Sequence, residues 1–370
     1  MNPFRYSDEN IDEKEFMLAF PSVMIGVTIL ALPSDIAEAT SYSDGWISIL
    51  LAGVIFMAFA ILAVKLSNTF PDQSFYSYAS FLVTRPVAMI ISFIFIIGGI
   101  VIVGYIIRSL AFISQQYLFD RTPIEILSLS FLLVVVYAVS GSRAGLFRLN
   151  VMFLPMILFV FLFVGLFNLK HLDASNYLPL FQTDWKYYVK GMVKSFEGYI
   201  GFAIGLFYFC LIRNKNHITK KVIIGTSIPI IFYLFIFLIS IGIFGNAVTE
   251  NLMFPTVELA KRIDIPGAIF ERIDAFIFTI WIMAIFNTAA ITFDMPVLLL
   301  GSIFKTANKR IITFILSPIV FYISMFPQQI DQVKQFAVVT SQIYIYFTCL
   351  IIVGLFLIAK IRGGAHRDKV

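Results

Sequence analysis

Charge is scarce in this sequence. Asp, Glu, Lys and Arg make up 13% of its 370 residues, against roughly 25% in a soluble domain. Histidine occurs three times (His171, His217, His366) and cysteine twice (Cys210, Cys349). These residues are scattered, so the pattern offers no metal-ligand spacing and no disulfide framework. Tryptophan is used three times against 41 phenylalanines, so the aromatics mostly fill lipid-facing and helix–helix space. A cleavable signal is not expected, because the start carries Asp8, Glu9, Asp12, Glu13 and Glu15, the reverse of a basic leader. No catalytic set is visible. Gly141-Ser-Arg-Ala-Gly145 reads as a basic connection rather than a phosphate cradle, so neither an enzyme nor a cofactor is expected.

Long apolar runs are abundant. The chain is 59% hydrophobic, with a mean hydropathy of +0.91. Runs of about 20 residues recur from end to end, which predicts an all-α polytopic membrane protein. Ten spans fit, at 13–37, 46–65, 87–117, 124–140, 150–168, 186–212, 219–245, 267–295, 310–326 and 335–360. Basic residues collect in alternate connections and in the tail. This places both termini in the cytoplasm and explains the net charge of +5 without nucleic acid.

The stretch from Phe20 to Pro33 resists being one helix. Gly26 costs about 1 kcal/mol relative to Ala. Val27, Thr28 and Ile29 are β-branched and crowd the preceding turn, and Pro33 follows. The expectation is a helix from Asp12, capped through Glu15, then a loosened segment at Met24 to Thr28, then a short helix to Ala37. The sixth span, Val193-Lys-Ser-Phe-Glu-Gly-Tyr-Ile-Gly, carries a second interruption. The third and eighth spans open with related triplets, Pro86-Val-Ala88 and Pro266-Gly-Ala268. Interrupted segments at matching places in two halves predict a five-plus-five inverted repeat, 13–168 and 186–360, with its site at the midplane. Residues 246–266 form an outer amphipathic connection, either packed on the bundle or moving as a lid.

Free N–H groups at a half-helix start attract a carboxylate, and free carbonyls attract an ammonium group. The predicted pocket therefore sets Val23, Met24, Gly26, Val27 and Thr28 against Phe196, Glu197, Gly198, Tyr199 and Ile200. The third span adds Gly98, Val101, Ile102 and Tyr105, with Gly98 and Gly99 read as helix packing or ligand room. Arg108 reads as a snorkelling residue at the mouth. The eighth span adds Ala284, Asn287 and Thr288. Glu197 is an intramembrane ionisable residue and so a functional candidate, either as a proton site or as an ammonium contact. The alternative is an interface anchor paired with Lys190 or Lys194.

Phe254-Pro-Thr-Val-Glu-Leu-Ala-Lys-Arg-Ile, Glu271-Arg-Ile-Asp and Trp281-Ile-Met-Ala-Ile-Phe-Asn-Thr288, with Met24 to Pro33, resemble the spore germination permeases, the B subunits of nutrient germinant receptors. The resemblance implies a LeuT-like fold of the amino acid–polyamine–organocation transporters. It also implies a place in the spore inner membrane beside A and C subunits. The implied role is sensing of a small nutrient, commonly an amino acid, that triggers germination. A proton-coupled amino acid transporter or an ion-conducting channel subunit stands as the alternative. Thr28 departs from the superfamily's second glycine, and its β-carbon narrows the backbone approach. The charge-free span 150–168 offers no lysine for proton coupling.

Overall fold

The structure is a computed structural model that describes residues 9–263, 273–305 and 307–367. Pro266 to Ala268, Glu271 and Arg272 lie outside the described residues. The first span divides into α1 (Glu13–Met24) and α2 (Leu32–Thr40), joined through a 3-10 turn at Thr28–Leu30. Then come α3 (Trp46–Asn68), a short α4 (Phe75–Leu82), α5 (Arg85–Tyr117), α6 (Ile124–Ser140) and α7 (Arg143–Asn168). The sixth span is α8 (Trp185–Ser195), a 3-10 stretch at Phe196–Ala203 and α9 (Ile204–Tyr208). The chain continues through α10 (Ile218–Thr249), α11 (Pro255–Lys261), α12 (Ile273–Ile303), α13 (Lys309–Ser324) and α14 (Ile330–Arg367). Among the described residues, six helices are each long and apolar enough to cross a membrane. With the shorter α6 and α13 and the two interrupted spans, the expected all-helical membrane architecture is present.

Asp12 caps α1 reciprocally with Glu15, as the spacing predicts: the Asp12 N–H donates to Glu15 Oε2 at 2.9 Å. Inside α1, Pro21 has no N–H to offer, so the Met17 carbonyl loses its helical partner. Gly225 of α10 packs directly on that carbonyl, where a β-carbon would collide. The helix stops at Met24. Ile25 leaves helical geometry (φ −80°, ψ 74°), and the Gly26 N–H turns back to the Met24 carbonyl at 2.9 Å. Gly26 is required because Thr288 occupies the side-chain position: a β-carbon would lie 2.8 Å from Thr288 Oγ1.

Neighbouring helices meet the carbonyls that the break frees. Tyr233 of α10 donates to the Met24 carbonyl at 2.6 Å, and Trp281 of α12 donates to Gly26 at 3.4 Å. Thr288 Oγ1 lies 3.0 Å from the Ser22 carbonyl and 3.2 Å from that of Ala284. Irregular backbone at membrane depth survives only under such conditions. The sixth span is interrupted differently. Its backbone stays helical but tightens to 3-10 winding over eight residues, longer than the usual three or four.

The segment before α1 lies beside the connections at 141–142 and 212–213 and the start of α13. The Ile11 N–H donates to Leu211 and the Arg213 N–H donates to Ile11, so the segment before α1 is tied to the end of the sixth span. Asp294 is fully buried beside it, 2.9 Å from Arg143 Nε, 3.1 Å from Lys309 Nζ and 3.1 Å from the Tyr208 hydroxyl. Arg143 also pairs with Glu9 at 3.3 Å. On the opposite face, α11 packs on the bundle with Val257, Leu259 and Ala260 buried. Thr256 donates to the Ile29 carbonyl at 2.8 Å, so this connection is anchored to the first-span break.

Candidate functional site

A cavity of about 320 Å³ lies between α2, α5, the 3-10 stretch of the sixth span and the start of α14. A smaller space of about 30 Å³ lies beneath it, walled by Val23, Met24, Gly26, Ile102, Ile200 and Thr288. Val27, Thr28, Tyr105 and Glu197 line both, so the two spaces meet at those four residues. The Val27 and Thr28 N–H groups, which precede α2, have no backbone partner among the described residues.

Helical rotation decides which expected residues face this space. In the sixth span Glu197 and Ile200 do, three residues apart in a 3-10 segment that repeats every three. Their neighbours point elsewhere. Phe196 packs edge-on against Phe56, Tyr199 stacks on Phe56 and donates to the Ile49 carbonyl, and Gly198 lies against the Tyr233 ring. On α5, Ile102 and Tyr105 reach the cavity and Val101 does not. Gly98 is a packing glycine, with the Tyr344 ring where a side chain would stand. On α12 Thr288 faces the cavity. Ala284 and Asn287 lie outside it, and the buried Asn287 carboxamide makes no hydrogen bond to a described residue. Ten of the expected residues thus come together, and Gly98, Val101, Phe196, Gly198, Tyr199, Ala284 and Asn287 do not.

Glu197 is not held by a lysine. Its carboxylate accepts from the Tyr105 hydroxyl at 2.6 Å, while Lys194 pairs with Glu38 at 3.5 Å. Neither Lys190 nor Lys194 forms an ion pair with Glu197 among the described residues. Arg108 corrects another expectation. It is 4% exposed, donates to the Pro327 carbonyl at 2.7 Å and stacks over Phe112 at 4.7 Å. It fixes the α13–α14 connection and does not snorkel.

The sequence reading missed the charged wall of the larger cavity: Asp35 and Glu38 on α2, Lys194 on α8 and Lys334 on α14. A signal for Asp35 was present. Ala31, Asp35 and Glu38 follow the helical i, i+4, i+7 repeat after the break, and an ionisable residue within a span is by default a functional candidate.

Comparison with known proteins gives a consistent answer. A family profile described as "Spore germination protein" matches residues 10–333. The chain is 38% identical to spore germination protein GerLB of Bacillus cereus, over 99% of each chain. It is 26% identical to spore germination protein YndE of Bacillus subtilis (strain 168), over 93% of this chain and 94% of that one. Among solved structures, MhsT in complex with L-phenylalanine matches with a TM-score of 0.69 at 14% identity, over 93% of this chain and 89% of the other. That likeness carries the fold alone.

Proposed function

The chain belongs to the spore germination protein family, and from that premise we propose that it is the membrane subunit of a spore nutrient germinant receptor. A small nutrient, an amino acid in the first instance, binds in the cavity beside the first-span break, and its binding starts germination. The observation that carries this reading is the cavity itself. At about 320 Å³ it falls at the lower end of the ~300–1,000 Å³ range of small-molecule pockets. It is walled by the break of one interrupted span and the 3-10 segment of the other. A protein of the same fold, MhsT, has been crystallised with L-phenylalanine.

The break contributes donors more than acceptors. Its freed carbonyls at Ser22, Met24 and Gly26 already receive bonds from Thr288, Tyr233 and Trp281. The Val27 and Thr28 N–H groups remain for an anionic end of the ligand, and the carboxylates of Glu197 and Asp35 supply the cationic side. The ligand is thus held by backbone donors and side-chain acids. In this reading 13–168 and 186–360 are the two inverted repeats and the termini lie in the cytoplasm of the spore. The chain sits in the spore inner membrane and works beside A and C subunits.

The test is a deletion strain assayed against a panel of nutrients, with the gene restored in parallel. Loss of response to one nutrient, recovered on restoration, supports the receptor reading. Unchanged germination with every nutrient, together with uptake of labelled amino acid by the purified chain in vesicles, favours a transporter instead.

A further inference from the structure

A second concavity lies away from the first-span break, between the α4–α5 corner and the last turns of α14. Near their middles α5 and α14 pack closely. There the Tyr344 ring takes the side-chain position of Gly98, and Phe95 meets Phe347 edge-on at 5.2 Å. Toward Val87 and Ile361 the helices part, and a groove of about 470 Å³ opens between them. Leu82, Val87, Ile358 and Ile361 give it apolar walls, and Thr84 and Arg362 line it nearer the helix ends.

The groove opens on the face that holds the segment before α1. The Arg213 N–H donates to Ile11, and Lys215 in the same connection pairs with Asp72, just ahead of α4, at 3.1 Å. The charge around the groove is of one sign. Arg85 and Lys360 flank it in sequence and are exposed. No acid occurs between Asp72 and Asp120, or between Asp331 and Asp368. Arg362 donates through Nη1 to the Phe81 carbonyl at 2.9 Å and forms no ion pair among the described residues, so most of its donor fork is open.

The apolar walls continue along the spans. Val87, Ile90, Ile94 and Ile97 share one face of α5, and Ile361, Leu357, Val353 and Leu350 share one face of α14; all are exposed. Each stripe covers about 15 Å of helix at 1.5 Å per residue. That is half of a ~30 Å hydrocarbon core, the depth of one leaflet.

We propose that this groove binds an anionic phospholipid, with its phosphate on Arg362 and Thr84 and an acyl chain between the two stripes. The cations have no acid to neutralise them, so the occupant carries negative charge. A guanidinium fork matches phosphate oxygens. The walls beyond are apolar to the depth of a leaflet, so the occupant also carries a hydrocarbon chain. Free phosphate lacks the chain, and an apolar helix from another protein lacks the charge. The groove is separate from the cavity beside the first-span break, so the proposal stands whether or not the chain senses a nutrient.

The test titrates the purified full chain in detergent with a phosphatidylglycerol, with a phosphatidylcholine of the same acyl chains and with inorganic phosphate. The readouts are thermal stabilisation and native mass spectrometry of retained lipid. Phosphatidylglycerol should act at about tenfold lower concentration than phosphatidylcholine, the size of one charge-assisted contact. Phosphate alone should have no effect. Arg362→Gln should abolish the preference, and Arg362→Lys should keep much of it. Val87 is 44% exposed, so Val87→Trp fills the groove rather than the core, and it should weaken phosphatidylglycerol about tenfold. Equal action of the two lipids overturns the proposal, as does stabilisation by phosphate alone, which marks a simple anion site. So does either Arg362→Gln or Val87→Trp behaving as the unsubstituted chain. Should Arg362→Gln fail to fold, Val87→Trp decides alone.

Discussion

The Tyr105 hydroxyl donates to the Glu197 carboxylate at 2.6 Å, at the junction of the two cavities. The contact joins the third span to the sixth and gives an intramembrane acid a hydroxyl partner. Glu197→Gln should raise the half-maximal nutrient concentration about tenfold at unchanged protein level, the size expected for a charged hydrogen bond. Tyr105→Phe removes the donor and leaves the acid, and should give a smaller shift in the same direction. A dose–response curve for each variant, with immunoblotting of spore membranes, checks both.

Gly26 and Thr288 are locked together by space. A β-carbon on Gly26 would lie 2.8 Å from Thr288 Oγ1 and 3.2 Å from its methyl carbon. Thr288 is β-branched and has little freedom to move aside. Gly26→Ala should therefore destabilise the chain by about 1–3 kcal/mol, the usual cost of overpacking. Adding Thr288→Ala should recover part of the loss. Thermal unfolding of the purified single and double variants measures the coupling.

Tyr233 holds the two interrupted spans to one another. Its hydroxyl is 2.6 Å from the Met24 carbonyl and 3.0 Å from that of Gly198. Tyr233→Phe leaves the Met24 carbonyl with the Gly26 N–H as its remaining donor and unties the two spans, at a cost of about 1 kcal/mol. Amide hydrogen exchange should rise at Ile25 to Leu30 and at Phe196 to Ala203, and little elsewhere.

Asp294 neutralises two cations where the segment before α1 meets the bundle. Asp294→Ala takes away the buried partner of both Arg143, which keeps only Glu9, and Lys309, which keeps only the Gly141 carbonyl, and breaking a buried pair costs about 3–5 kcal/mol. The melting temperature of the purified protein should fall sharply. Lys309→Met, which leaves the Arg143 pair in place, should cost less.

Among the described residues the six long helices were legible because each is a long apolar run, and long runs have one reading in a membrane. The first-span break was legible from Gly26, three β-branched residues and Pro33, all acting against helix. The Asp12 cap followed from its spacing to Glu15. The site was legible only in part, because adjacency along a helix is not adjacency in space. Phe196, Gly198 and Tyr199 flank Glu197 in sequence, yet rotation turns them toward Phe56 and Tyr233. Asp35 and Lys334 belong to the first and last spans, and nothing local to either stretch shows that folding brings them to one cavity.

The central claim is that a nutrient occupies the space beside the first-span break. Thr28 lines both cavities, and its side chain is half-buried, so a larger group there fills the space. The most direct measurement is the germination dose–response of spores whose only copy of the chain carries Thr28→Trp, at verified protein abundance. The account predicts loss of response to the nutrient that the chain serves, with normal response to nutrients sensed by other receptors. An unaltered dose–response for that nutrient would contradict it.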